Sequence, residues 1–149
     1  PAPTWPAWAL LATIGAWVAV IDAITTWIPA ALAWTGWAGW IGAVVVTALS
    51  DHTAAIRAVI ATAIIFAAWM IAWLISRGGF GFSDVRITPL WAAPAAATGI
   101  DTIQVTVIAG LTLIALYALI DRFRHHTTRF LPWAPSLCSG ALIGLAIAH

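Results

Sequence analysis

Apolar residues run along this chain in blocks of about twenty, the length that crosses a bilayer as a helix, and short polar or glycine-rich breaks separate them. The blocks predict six membrane helices with short connections and no room for a soluble domain. The first runs from about Trp5 to Trp27 and is stopped by Pro29. The second covers about Ala30 to Leu49 and ends at Ser50-Asp51-His52. The third runs from about Thr53 to Ile75 and ends at Ser76-Arg77-Gly78-Gly79. The fourth, about Asp84 to Thr98, is short and interrupted by Pro89 and Pro94. The fifth covers about Asp101 to Ile120 and the sixth about Pro132 to Ala148. The expected fold class is an all-α integral membrane protein, a bundle of about six transmembrane helices, with residues 1–149 forming one domain.

Composition agrees with that pattern and narrows the function classes. Hydrophobic residues make up 63% of the chain and charged residues 7%, against roughly a quarter charged in ordinary soluble domains. Five acidic and six basic residues give a formal charge of +1, too balanced for the basic face that nucleic acid requires. A single cysteine, Cys138, excludes an internal disulfide and a cysteine-based zinc site. His125 and His126 have no third ligand nearby and read as part of a solvated basic loop, so no metal or other cofactor is expected. The first apolar run is too long, and lacks a small-residue cleavage site, to be a removed signal peptide.

Loop charges set an orientation. Arg122, Arg124 and Arg129 lie between the fifth and sixth helices, which makes that loop cytoplasmic by the positive-inside rule. Alternation then puts the 77–86 connection, with Arg77 and Arg86, on the same side, and leaves Arg57 as an exception on the other. Trp5 and Trp8 fall near the outer interface, and Trp27, Trp73 and Trp133 near the inner one, as anchoring belts do. Trp34, Trp37 and Trp40 repeat at a spacing of three and are expected on one helix face. Gly140-Ala141-Leu142-Ile143-Gly144 predicts close helix packing through small residues.

The aspartates carry the chemistry. Asp51 and Asp101 immediately precede apolar runs and read as helix N-caps. Asp121 stands beside Arg122 and Arg124, an interfacial ion pair. Asp22 has no basic neighbour in its segment and lies about 8 Å inside its helix, where an ionisable side chain points to function. Asp84 ends the glycine-rich stretch Gly78-Gly79-Phe80-Gly81-Phe82-Ser83. In this topology Asp22 and Asp84 share the cytoplasmic boundary. Two carboxyls brought together cannot both ionise, so the pair holds one proton. One member can deprotonate a water attacking a peptide carbonyl while the other protonates the carbonyl oxygen. Asp84, at a helix start with Arg86 two residues on, is expected to be the anion, and desolvated Asp22 to hold the proton.

Three stretches resemble the type IV prepilin peptidases, aspartic membrane proteases of the GxGD type. They are Ala19-Val20-Ile21-Asp22 followed by Trp27-Ile28-Pro29, then Gly79-Phe80-Gly81-Phe82-Ser83-Asp84-Val85-Arg86-Ile87, and finally Phe130-Leu131-Pro132-Trp133-Ala134-Pro135 with Leu137 and Gly140-Ala141. The resemblance implies an endopeptidase that cleaves the leader of a prepilin or pseudopilin at the cytoplasmic face of a bacterial inner membrane. It makes Asp22 and Asp84 the catalytic pair, with Pro29, Gly79, Gly81, Ser83 and Arg86 supporting the motifs. The chain looks like the short form, without the zinc-binding, methyl-transferring segment that many members carry at the amino terminus. Ser83 stands where the family usually has glycine, and a positive φ there would strain a serine by about 1 kcal/mol or more. A small ion-coupled transporter subunit, or an inactive relative in pilus or secretion assembly, would fit the same apolar blocks. Convergence of Asp22 and Asp84 at one end of the bundle separates the readings.

Overall fold

In a computed structural model, which describes residues 4–76, 81–125 and 131–148, every regular element is helical. Helix α1 spans Trp5–Thr25 and carries a π-helical segment at Leu11–Gly15. Thr26 ends it in the left-handed region (φ 52°), with its N–H bonded to the carbonyl of Asp22 at 2.8 Å. Pro29 then opens α2, Ala30–Ala48: its carbonyl accepts the N–H groups of Leu32 and Ala33. Asp51 caps α3, His52–Ser76, by accepting the Ala54 N–H at 2.9 Å, as its position before the apolar run predicts. Helices α4 (Phe82–Arg86) and α5 (Thr88–Thr98) follow, then α6 (Ile100–His125) and α7 (Trp133–Ala148).

Four of these helices, Trp5–Thr25, Ala30–Ala48, His52–Ser76 and Ile100–Phe123, are long and apolar enough to cross a membrane; Trp133–Ile147 is a shorter apolar helix. Their outer faces carry exposed Ile24, Val45, Ile75 and Phe123. An apolar exterior of that kind is stable against lipid and not against water. The predicted fourth helix is divided at Ile87 (φ −90°, ψ 0°) into α4 and α5. The first ends at Thr25 rather than Trp27, so Asp22 sits in its last turn.

Helix α5 is the centre of the bundle, with every residue from Thr88 to Ala97 buried. Its alanines let neighbouring backbones close in, and Leu90 and Trp91 fill two apolar clusters with residues of α1 and α7. A helix with no lipid face must have its terminal carbonyls satisfied by protein. Arg57 does this: its Nε and Nη2 donate to the carbonyls of Ala96 and Ala97, each at 2.6 Å. The cation also suits the negative end of the helix dipole. Arg57 is thus a structural cap turned into the bundle. Thr98 Oγ1 donates to the Pro94 carbonyl and accepts the indole N–H of Trp8 at 2.9 Å.

Several expectations about packing faces change. Trp37 and Trp40 turn inward and meet edge-on at 5.4 Å, but Trp34 is exposed. Three-residue steps drift by about 60° around a helix of 3.6 residues per turn, so such a run cannot share one face. Asp101 lies within the first turn of α6, where it complements the dipole, and is not the N-cap.

The glycine spacing in α7 does what it predicts. A Cβ on Gly140 would stand 2.6 Å from the Thr106 carbonyl oxygen and 2.9 Å from the Gly110 Cα, both rigid backbone of α6. Gly144 is as tightly held, against Thr102 and Thr106. Gly42 in α2 meets nothing within 4 Å. Gly140→Val is therefore expected to cost about 1–3 kcal/mol, the usual range for overpacking, while Gly42→Ala leaves stability unchanged or slightly raised. Reversible unfolding in mixed micelles measures both.

Candidate active site

Two buried carboxyls lie near the end of the bundle opposite Arg57. Asp22 is 3% exposed, in the last turn of α1, and Asp84 is 5% exposed, in α4. They are close enough for the charge of Asp22 to act on Asp84. The far ends of the same elements are joined by the Trp8–Thr98 bond. Trp8 and Asp22 are as many positions apart in α1 as Asp84 and Thr98 are in α4 and α5. The two stretches therefore run antiparallel and in register, with the Trp8–Thr98 bond at one end and the two carboxyls at the other.

Local chemistry builds α4. Gly81 precedes it in an extended conformation (φ −73°, ψ 133°), and its carbonyl accepts the Asp84 N–H at 3.1 Å. A Cβ on Gly81 would lie 2.9 Å from Asp84 Oδ2 and 3.1 Å from Ser83 Oγ. Glycine is needed there so that the carboxyl can fold back over the backbone. The last carbonyls of this short helix are satisfied from outside. The indole N–H of Trp37 donates to the Arg86 carbonyl at 2.9 Å, and Thr88 Oγ1 donates to the Val85 carbonyl at 2.8 Å. Phe82 packs on Trp73, with ring centres 5.0 Å apart.

Ser83 has ordinary helical geometry, since Thr26 is the non-glycine residue with positive φ among the described residues. The strain that a serine in place of glycine would carry at positive φ does not arise. Pro29 fixes the turn after Asp22, next to buried Ile28. Gly79 lies outside the described residues, as do Arg77, His126 and Arg129 of the connecting loops.

The expected electrostatics of the pair are overturned. Arg86 is not paired with Asp84; its guanidinium lies over the Phe82 ring at 5.2 Å, and its Nε has no hydrogen-bond partner among the described residues. Side chains two positions apart on a helix point in different directions, which is why the pairing fails. The anion-favouring contact belongs to Asp22 instead, whose Oδ2 accepts the backbone N–H of Ala134 at 3.0 Å. Ala134 is the second residue of α7, where N–H groups have no partner inside the helix. Sequence reasoning noticed the prolines around it without assigning this donor. Pro132 and Pro135 were the available signal, because prolines gather at helix starts, the place where free N–H groups occur.

Burial first, and the charge of Asp22 second, push the Asp84 carboxyl up to about 7. Among the described residues, no group of three His, Cys, Asp or Glu side chains could hold a metal ion. No family model, curated protein or solved structure matches the chain.

The Asp84 shift predicts a pH dependence of stability. Between the ordinary carboxylate range and about 7 the folded chain keeps a proton on Asp84 that the unfolded chain releases. Folded protein then binds more protons than unfolded, so stability falls as pH rises through that window and is highest below it. Thermal unfolding in detergent from about pH 4 to about pH 8 should follow this slope. Asp84→Asn, which cannot ionise, should flatten it.

Proposed function

We propose that this chain is an aspartic endopeptidase of the membrane, similar to the prepilin peptidases, with Asp22 and Asp84 as its catalytic pair. The observation that carries the proposal is the burial of two carboxyls, from helices far apart in sequence, near enough at one end of the bundle for one charge to act on the other. A carboxyl pair with one proton supplies both a general base for water and a general acid for a peptide carbonyl, with no need of a metal or nucleotide. Burial serves the chemistry by keeping one carboxyl protonated near neutral pH, as an acid catalyst must be.

In this reading the chain crosses the bacterial inner membrane six times. The fourth crossing runs through α5, which can be shorter than a lipid-facing span because protein surrounds it. The pair then lies at the cytoplasmic boundary. The substrate is a prepilin or pseudopilin, whose apolar N-terminal helix lies in the bilayer beside the enzyme while its leader reaches the carboxyls. The placement of the pair argues against a transporter, whose acid would sit near the middle of a path open to both sides.

A processing assay with a prepilin substrate tests the proposal. Asp22→Asn and Asp84→Asn, made separately, are each expected to lower the cleavage rate by roughly 10²-fold to 10⁴-fold, the usual share of acid–base catalysis. Normal processing by both variants would remove the mechanism. Gly81→Ala is a finer probe. The clash it introduces is with the free end of the Asp84 side chain, so the fold should hold while the carboxyl moves. A loss of up to about 10²-fold, with unchanged melting temperature, is the expected result.

A further inference from the structure

Resting on the peptidase reading, we infer that the first turn of α7 is a positioning element that fixes which aspartate is the base, through the Ala134 N–H on Asp22. The bond is 3.0 Å long and buried, and its donor sits in the first turn of a helix, where N–H groups cannot pair within the helix itself. A hydrogen bond of this kind is strongest to an ionised oxygen, and the positive end of the α7 dipole favours the same state. Among the described residues no hydrogen bond reaches the carboxyl of Asp84, and Arg86, two residues on, is engaged with Phe82.

The groups facing Asp22 from the packed elements agree with this polarity. From α4 comes Asp84, and from α7 comes the buried thiol of Cys138, itself directed at the Gly15 carbonyl at 3.9 Å. Neither is a cation, so among the described residues the N–H of Ala134 is the contact that favours a negative charge on Asp22. The π-helical segment of α1 ends at Gly15, where α7 packs.

The resulting roles balance. Ionised Asp22 takes a proton from water as the water oxygen bonds to the scissile carbonyl carbon. The carbonyl π pair moves to its oxygen, which takes the proton of Asp84. The diol then collapses: Asp22 returns its proton to the leaving nitrogen, the C–N bond breaks, and Asp84 recovers a proton from a diol hydroxyl. Both carboxyls finish as they began. This is the reverse of the assignment that the sequence suggested, with Asp84 as the base.

Infrared spectroscopy of the full chain in lipid nanodiscs at neutral pH locates the proton directly, through the carbonyl stretch of a protonated carboxyl. With the native backbone, Asp84→Asn should abolish that band and Asp22→Asn should keep it; the opposite pattern overturns the inference. Replacing Ala134 by L-lactic acid turns its N–H into an ester oxygen and keeps the methyl group. In that background the band should survive Asp84→Asn, because the proton can now rest on Asp22. A band distribution identical to the amide chain would also overturn the inference. Ala134→Gly, which keeps the N–H, should behave as the native chain. These spectra need no substrate, so a chain that processes no prepilin would remove the peptidase reading and leave the proton assignment to be decided by the infrared result.

Discussion

A helix buried on all sides imposes a strict condition, and α5 is such a helix. With lipid and water both excluded along Thr88–Ala97, every polar group at its ends must find a protein partner. At one end Arg57 and Trp8 meet that need; at the other, Trp37 and Thr88 satisfy the carbonyls of α4. The position of α5 along the bundle is therefore fixed by hydrogen bonds. Apolar packing alone, among so many alanines, would let it slide. Because the Trp8–Thr98 contact sets the register between α1 and α5, it also sets where Asp84 falls relative to Asp22. A cap at the far end of the bundle thus helps to align the carboxyls.

The two ends of the bundle are chemically unlike. Near Arg57 a cation satisfies the helix carbonyls of Ala96 and Ala97. Near Asp22 two acidic groups are buried, with one backbone N–H bonded to Asp22 and no basic partner among the described residues. Packing that served stability alone would not put two carboxyls there, since each is costly to bury and each raises the cost of ionising the other. Acid–base chemistry is the use that such an arrangement suits.

Much of this was legible in the chain because the signals are local. Apolar blocks of membrane length mark the long helices, Asp51 before a run marks a cap, and paired glycines mark the α6–α7 contact. Asp22 and Asp84 stand out because so few carboxyls interrupt the apolar sequence. What escaped depends on direction and on distant partners. The Asp84–Arg86 pairing assumed that nearness in sequence means nearness in space, which fails at a separation of two on a helix. The aligned run of Trp34, Trp37 and Trp40 failed because the helical period is not three. Arg57 was read as a topological outlier because its targets, Ala96 and Ala97, lie far along the chain and offer only backbone. The Ala134 N–H was invisible for the same reason: a backbone donor has no residue signature, and only the flanking prolines hinted at a helix start.

Ser83 shows how a departure from a motif can be absorbed. Glycine at that position would matter if the backbone had to enter the left-handed region, but α4 begins before it, so residue 83 is helical and serine fits. The demand for a missing side chain falls on Gly81, under the Asp84 carboxyl. A glycine is thus called for at 81 and not at 83. The site also links stability to chemistry. The same burial that raises Asp84 towards neutrality works against the folded state whenever the group ionises, so a chain selected only for stability would place an amide there. A carboxyl in that space suits the proposed acid role, and the donor on its partner Asp22 is what distinguishes the two carboxyls.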